Sequence, residues 1–330
     1  MMTSSKTRAP LKRAPIVAAG PPVTPMERSA AVVCLAVLIG VLAVASAVAG
    51  LLWPGGGDPY SVTTYRGQVV EIYGRGLYRY DSLFAGAANK GSDILTLGLG
   101  IPALLLTTWH YRRGSLRGGL LLLGVLTYFG YLGASYALNV AYNALFLAYV
   151  ALFAASLWAL ALAFRSFDVS VLGSRLSPRV PRRSLAVFLF ASGVLTLFVW
   201  LIDPLTSLIQ GDAPKSLRVS TTLFTNALDM AVIVPALIIA GVLIMRREPL
   251  GYLIAFPLLV LEISLAPMIS LQTVLQVRAG VEFTPGEMVG PIAGFVVFAL
   301  SALLITIALL RDVAESGRAS STAAEDPGHV

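Results

Sequence analysis

Seven polar side chains stand where a predominantly apolar sequence makes them costly: Asp93, Thr96, Asn139, Asn143, Asn226, Asp229 and Glu262. A carboxyl group surrounded by hydrocarbon loses the hydration of its ion, so it either finds a partner or keeps its proton. Such a group can carry a proton or hold a coupling cation, and an ionisable residue at membrane depth is for that reason a candidate functional residue. Asn226 and Asp229 are three residues apart, Asp93 and Thr96 three, and Asn139 and Asn143 four, spacings that put each pair on one helix face. All but Glu262 are expected in the outer third of the membrane, where together they would line a polar substrate- or ion-binding cavity open to the outside. A structural reading stands beside this one. Asp93 would cap the second span beside its positive N-terminal dipole, while Asp229 and Glu262 would bond across helices as packing contacts.

Other chemistries lack their residues. A single cysteine, Cys34, allows neither an intrachain disulfide nor a cysteine cluster, and the two histidines, His110 and His329, do not form the paired set that a zinc site or a bis-histidine haem requires. Gly74-Arg75-Gly76 is not followed by the third glycine of a strand-turn-helix nucleotide loop, and neither a P-loop nor an HExxH motif is present. No cofactor or metal is implied, and an enzyme would have only the three acids Asp93, Asp229 and Glu262 to work with. Tyr128, Tyr131, Tyr136, Tyr142 and Tyr149 could stack on a ring or sugar in a cavity, or serve as interfacial packing.

The elements that must position these residues are membrane helices. With 57% hydrophobic and 12% charged residues, a disordered chain or an ordinary soluble enzyme is excluded, and roughly 20 apolar residues suffice to cross a bilayer. Eight such spans are predicted. They run from Ser29 to Trp53, Asp93 to Tyr111, two within the uncharged stretch Gly118 to Phe164 with a turn near Asn139 to Asn143, then Ser184 to Ile202, Leu223 to Met245, Leu250 to Leu271 and Val289 to Leu310. Prolines at 102, 235, 257 and 267 lie inside spans, where interrupted helices often build transport sites. Setting Pro102 against Pro235 aligns IPALLLTTWHYRRGSL with VPALIIAGVLIMRREPL and matches Asp93 to Asn226 and Thr96 to Asp229. This predicts two parallel four-helix repeats, residues 29–165 and 184–311, with a site between the second and sixth helices.

Counting Lys and Arg on alternate loops gives 17 on the side of the N-terminus and seven on the other, out of 24. Basic loops face the cytoplasm, so both termini are expected there, in a bacterial plasma membrane with lipids as the surrounding partner. The basic residues border spans rather than forming one soluble face, which argues against nucleic acid. Residues 1–28 are expected to be a disordered cytoplasmic arm, 166–183 a linker and 312–330 a disordered tail. The apolar run before Ala47-Val48-Ala49 is too long for a cleaved leader, so it is expected to remain as an anchor. The external loop 54–92 is expected to hold a small hairpin, with strands at Val62 to Tyr65 and Gln68 to Tyr73, a turn at Gly74-Arg75-Gly76 and renewed strand pattern at Leu77 to Tyr80. A short helix at Asp81 to Ala88 would then lead through Lys90-Gly91-Ser92 into the second span.

The runs YGRGLYRYDSLFAGAANKGSDILTL, RRGSLRGGLLLLG and AYNALFLAYVALF resemble a family of uncharacterised bacterial multi-pass membrane proteins, mainly over residues 70–165. The resemblance implies a bacterial plasma membrane and assigns no activity and no catalytic residue. The residues themselves favour transport of a small solute or ion through an outward-facing polar site. A binding or scaffold protein whose external hairpin and outer cavity meet a lipid-linked ligand or a partner protein is the alternative, followed by a lipid-modifying enzyme.

Overall fold

The computed structural model describes residues 25–175 and 182–313, apart from the side chains of 285 and 287–291. The expected disordered arm and tail lie almost wholly outside these residues, as does the middle of the linker. Among the described residues eight helices are long and apolar enough to cross a membrane, which is compatible with an all-α multi-pass membrane protein. Span 1 is Ala30–Leu52, span 2 Leu83–Arg112, span 3 Leu116–Leu138, span 4 Phe146–Arg165, span 5 Arg182–Gln210, span 6 Phe224–Met245, span 7 Pro249–Ala279 and span 8 Pro285–Asp312.

Local chemistry sets the ends. Ser29, Ser82 and Ser115 each cap a span, accepting from the backbone N–H of Val32, Ala85 and Gly118 at 3.5, 3.2 and 3.1 Å. Span 7 opens on Pro249, whose missing N–H costs nothing in a first turn, and stops at Gly280 with φ of 99°. The Ser82 cap corrects the expected start of span 2. Most of the predicted short helix and the Lys90-Gly91-Ser92 linker are part of one continuous helix, because Gly91 and Ser92 face span 7, where the Gln272 side-chain amide donates to the Ser92 hydroxyl at 2.8 Å. Spans 5 and 7 likewise continue beyond their expected ends, span 5 through Pro204 to Gln210 and span 7 to Ala279. In the linker, Val169–Arg175 forms a short helix.

Span 2 and span 6 each contain one π-turn, Thr96–Gly100 and Asp229–Ile233, immediately before Ile101-Pro102 and Val234-Pro235. The N–H of Ile101 bonds to the carbonyl of Thr96, and that of Val234 to the carbonyl of Asp229. Proline has no N–H and its ring crowds the carbonyl four residues earlier. One extra residue in the preceding turn relieves that crowding while keeping the helix continuous. Prolines 257 and 267 lie within the unbroken α-helix of span 7.

Spans 1 to 4 close a ring, with 1 against 2 and 4 and 3 against 2 and 4, around Leu120, Leu123, Leu126 and Phe129. Without a hydrophobic drive between helices in lipid, close approach at small residues does the packing. A Cβ at Gly133 would lie 2.8 Å from the backbone of Phe153, and one at Gly91 2.8 Å from the backbone of Gln272. Spans 5 and 6, 6 and 7, and 7 and 8 pack in pairs, and the rings of Phe188 and Phe298, 5.8 Å apart, link span 5 to span 8. The two halves meet mainly through span 7, which packs on spans 2 and 3. Spans 2 and 6 share no extended contact, which corrects the expected interface between them. From Val194 to Gln210 no residue of span 5 is fully buried, and most of its large apolar side chains are exposed.

The backbone N–H of Asp168 donates to the Pro25 carbonyl at 3.1 Å, and Arg117 donates to the Val313 carbonyl at 2.9 and 3.2 Å, so both described chain ends share one face. The opposite face carries the hairpin, β1 (Tyr60–Thr63) antiparallel to β2 (Val69–Ile72), with Tyr60 opposite Ile72 and Val62 opposite Val70. Its turn is at Tyr65–Gly67, where Gly67 takes φ of 79°, rather than at Gly74-Arg75-Gly76, and Leu77 to Tyr80 is a turn instead of a strand.

Candidate functional site

The acids fall into two clusters, each with its own hydrogen-bond partners and each including a tyrosine of span 3. In the first, Asp93 is fully buried in the third turn of span 2, too far from the N-terminus to act as its cap. Its two oxygens accept from the Tyr78 hydroxyl at 2.8 Å and the Tyr136 hydroxyl at 2.7 Å. Tyr78 belongs to the loop before span 2 and Tyr136 to span 3, so one carboxyl joins three segments. Span 1 closes the site, since a Cβ at Gly50 would collide with the Asp93 carboxylate and lie 2.6 Å from the Tyr78 hydroxyl. Tyr149 of span 4 stacks edge-on against Tyr136 at 5.1 Å, and its hydroxyl approaches Tyr78 and Asn143 without a well-formed hydrogen bond. One turn further along span 2, Thr96 shares a 3.0 Å hydrogen bond with Tyr128 of span 3.

Asp81, which the sequence reading places at the start of the short helix Asp81 to Ala88, is only 4% exposed. One of its oxygens accepts from the Ala141 N–H at 2.9 Å and the other has no partner. Burial raises its carboxyl to about 7, partly opposed by the hydrogen bond from Ala141. The same burial lifts the Tyr78 phenol well above its ordinary value, with the neighbouring Tyr136 and Asp93 adding to the effect.

In the second cluster, Asp229 is the first residue of the π-turn of span 6 and is 8% exposed. It bonds to the side chains of Tyr131 from span 3 and Trp200 from span 5, and Asn226 donates to the Trp200 carbonyl at 2.9 Å. Glu262, equally buried in span 7, accepts from the Ser192 hydroxyl of span 5 and is an electrostatic neighbour of Asp229. Both π-turns thus begin with a polar residue, Thr96 or Asp229, held by a tyrosine of span 3, and those tyrosines are three residues apart on one helix face.

The spacing correctly joins Asn226 with Asp229 and Asp93 with Thr96. It fails for Asn139 and Asn143, which belong to the turn between spans 3 and 4 and share no helix face. Asn139 is exposed at the end of span 3, and Asn143 accepts from the Leu145 N–H at 2.9 Å and donates to the Ala141 carbonyl at 3.3 Å. Asp93 on one side and Asp229 with Glu262 on the other have separate hydrogen-bond partners. Tyr78, Tyr131, Ser192 and Trp200, which hold the acids, are remote in sequence, and only the shared i, i+3 face of Tyr128 and Tyr131 carried a signal. Among the described residues no group of three or more His, Cys, Asp or Glu is placed to hold a metal. Comparison with protein-family models, curated proteins and solved structures finds no match to this chain.

Proposed function

We propose that this chain is a plasma-membrane transporter of a small solute or ion, with Asp229 and Glu262 as the groups that bind or exchange the coupling cation or proton. The single observation that supports this most is Asp229 itself. It is a buried acid placed on a π-turn, an element that recurs at functional sites because it opens helix geometry locally. Glu262 next to it supplies a second exchangeable site on a different helix, and Tyr131, Trp200 and Ser192 supply hydrogen-bonding groups that can follow a change in charge. Breaking or making these bonds would shift spans 3, 5, 6 and 7 relative to one another, which is the motion that alternating access needs.

The recurrence of the π-turn before Pro102 and Pro235 supports descent of residues 29–165 and 184–311 from one duplicated four-helix unit, in parallel orientation. In that unit Thr96 and Asp229 occupy equivalent places, and only the second half kept an acid there. The Lys and Arg bias supports cytoplasmic termini, with the hairpin face outside a bacterial plasma membrane and membrane lipid as the surrounding partner. The first cluster supports a static role. Asp93, sealed by Gly50 and two phenols, ties the loop that carries Tyr78 to spans 1, 2 and 3.

The test is proton movement in liposomes containing the purified protein and a pH-sensitive dye, driven by an imposed potassium diffusion potential, with sodium and potassium as trial coupling ions. The wild type is expected to move protons faster than empty liposomes, and Asp229→Asn to remove the increment while melting normally. Flux equal to that of empty liposomes with every ion, or wild-type flux in both Asp229→Asn and Glu262→Gln, refutes the assignment.

A further inference from the structure

On the hairpin face, a cleft of about 680 Å³ opens between β2, the start of span 2, the loop joining spans 5 and 6, and the end of span 7. Its lining is apolar at Leu83, Phe84 and Val281 and carries charges of both signs. Lys215 and Arg218 come from the loop between spans 5 and 6, whereas Glu71 comes from the hairpin and Glu282 from the segment after span 7. The hairpin is tied to the loop between spans 5 and 6 by Gln68, whose amide donates to the Ala213 carbonyl at 3.2 Å while its oxygen stays buried without a partner.

Arg218 is an unusual residue for its place. Its φ of 50° and ψ of −121° are those of the first central residue of a type II′ turn, closed by the Ser220 N–H on the Leu217 carbonyl at 2.9 Å. Glycine normally takes this position, because a side chain is strained there. The strained turn holds the guanidinium 3.7 Å from the centre of the Phe84 ring, at the cleft. The carboxylate whose charge acts on Arg218 is Asp203, which is already engaged by the backbone N–H of Ser216 at 3.1 Å and by its hydroxyl. A cation that could be replaced by a better-fitting glycine, and that is fixed on an aromatic face rather than in an ion pair, is placed to meet an anion from outside.

We propose that this cleft binds a zwitterion carrying a phosphate and a primary amine, the chemistry of ethanolamine phosphate, with the phosphate on Arg218 and Lys215 and the amine on Glu71 and Glu282. Two cations suit a phosphate. Carboxylates on the hairpin and after span 7 suit an ammonium group, and Leu83, Phe84 and Val281 suit the carbons between. The ligand's source is either the free compound or the headgroup of an aminophospholipid. The site is independent of the acids at Asp229 and Glu262.

The test is calorimetric titration of the full-length protein in detergent with O-phosphoethanolamine, inorganic phosphate and ethanolamine, together with thermal stabilisation in nanodiscs of phosphatidylethanolamine and of phosphatidylglycerol. Phosphoethanolamine is expected to bind at least about tenfold more tightly than phosphate or ethanolamine, as loss of one charge-assisted contact implies. Arg218→Gly, which removes the backbone strain and so keeps the fold, is expected to weaken binding at least about tenfold. Glu71→Gln is expected to weaken phosphoethanolamine but not phosphate. Stabilisation by phosphatidylethanolamine over phosphatidylglycerol, lost in Arg218→Gly, identifies the lipid as the source, whereas binding of the free compound without that preference identifies the soluble zwitterion. Equal binding of phosphate and phosphoethanolamine, unchanged affinity in a folded Arg218→Gly protein, or no response to either form of the ligand overturns the proposal.

Discussion

Replacing Asp81 by asparagine should make the protein more stable at pH 8 and flatten its dependence on pH. In the folded chain Asp81 is 4% exposed, with one oxygen on the Ala141 N–H and the other unpartnered, and burial raises its carboxyl from an ordinary value of 3.8 to about 7. When the loop unfolds into water that carboxyl ionises near its ordinary value. Between about pH 4 and pH 7 the folded state therefore holds a proton that the unfolded state has lost, so stability falls as pH rises through this window. Each pH unit across it is worth at most about 1.4 kcal/mol, which puts the whole effect at no more than ~4 kcal/mol, and water entry on ionisation reduces it further. Asparagine keeps an oxygen for Ala141 and carries no charge, so the variant should lose this slope. The assay is thermal melting of the detergent-purified protein from pH 4 to 8.5, wild type beside Asp81→Asn. A wild type that melts highest at pH 8, or a variant with the same slope as the wild type, refutes burial as the cause.

Gly50→Ala should lower stability by about 1–3 kcal/mol, because the added methyl meets the Asp93 carboxylate and the Tyr78 hydroxyl in a packed site; melting at the wild-type temperature would contradict that packing. Tyr136→Phe leaves one Asp93 oxygen without its donor and should cost about 1–3 kcal/mol in the same assay, whereas Tyr142→Phe, at an exposed ring, should cost nothing measurable. Pro235→Ala restores an N–H that can draw the turn before it towards regular α-helix, moving Asp229 relative to Tyr131. Proton flux in liposomes should fall several-fold with little change in melting, and unchanged flux would remove the π-turn from the mechanism.

The helices are legible because apolar runs of bilayer length leave few alternatives, and the order of all eight follows from the positions of those runs along the chain. Their ends were less legible where polar residues inside a span face another helix. Lys90-Gly91-Ser92 reads as a linker, yet Ser92 meets Gln272 and Gly91 fits against the Gln272 backbone. The hairpin was visible in its β-formers, but a run with three glycines offers several turns, and Gly67 took the one that closes the ladder. Within the candidate site, the spacing of Asn226 and Asp229 and of Asp93 and Thr96 foretold shared faces. Asn139 and Asn143 have helical spacing without a helix, since both serve the turn. Asp81 was hidden because tertiary packing of Ala141, sixty residues away, buries it.

Proton flux through the reconstituted protein, compared between wild type, Asp229→Asn and Glu262→Gln at equal incorporation, tests the central claim most directly. The account predicts flux above that of empty liposomes for the wild type, and its loss in Asp229→Asn with the fold intact. A wild type no more permeable than the empty bilayer under every coupling ion, or full flux in both variants, would contradict it.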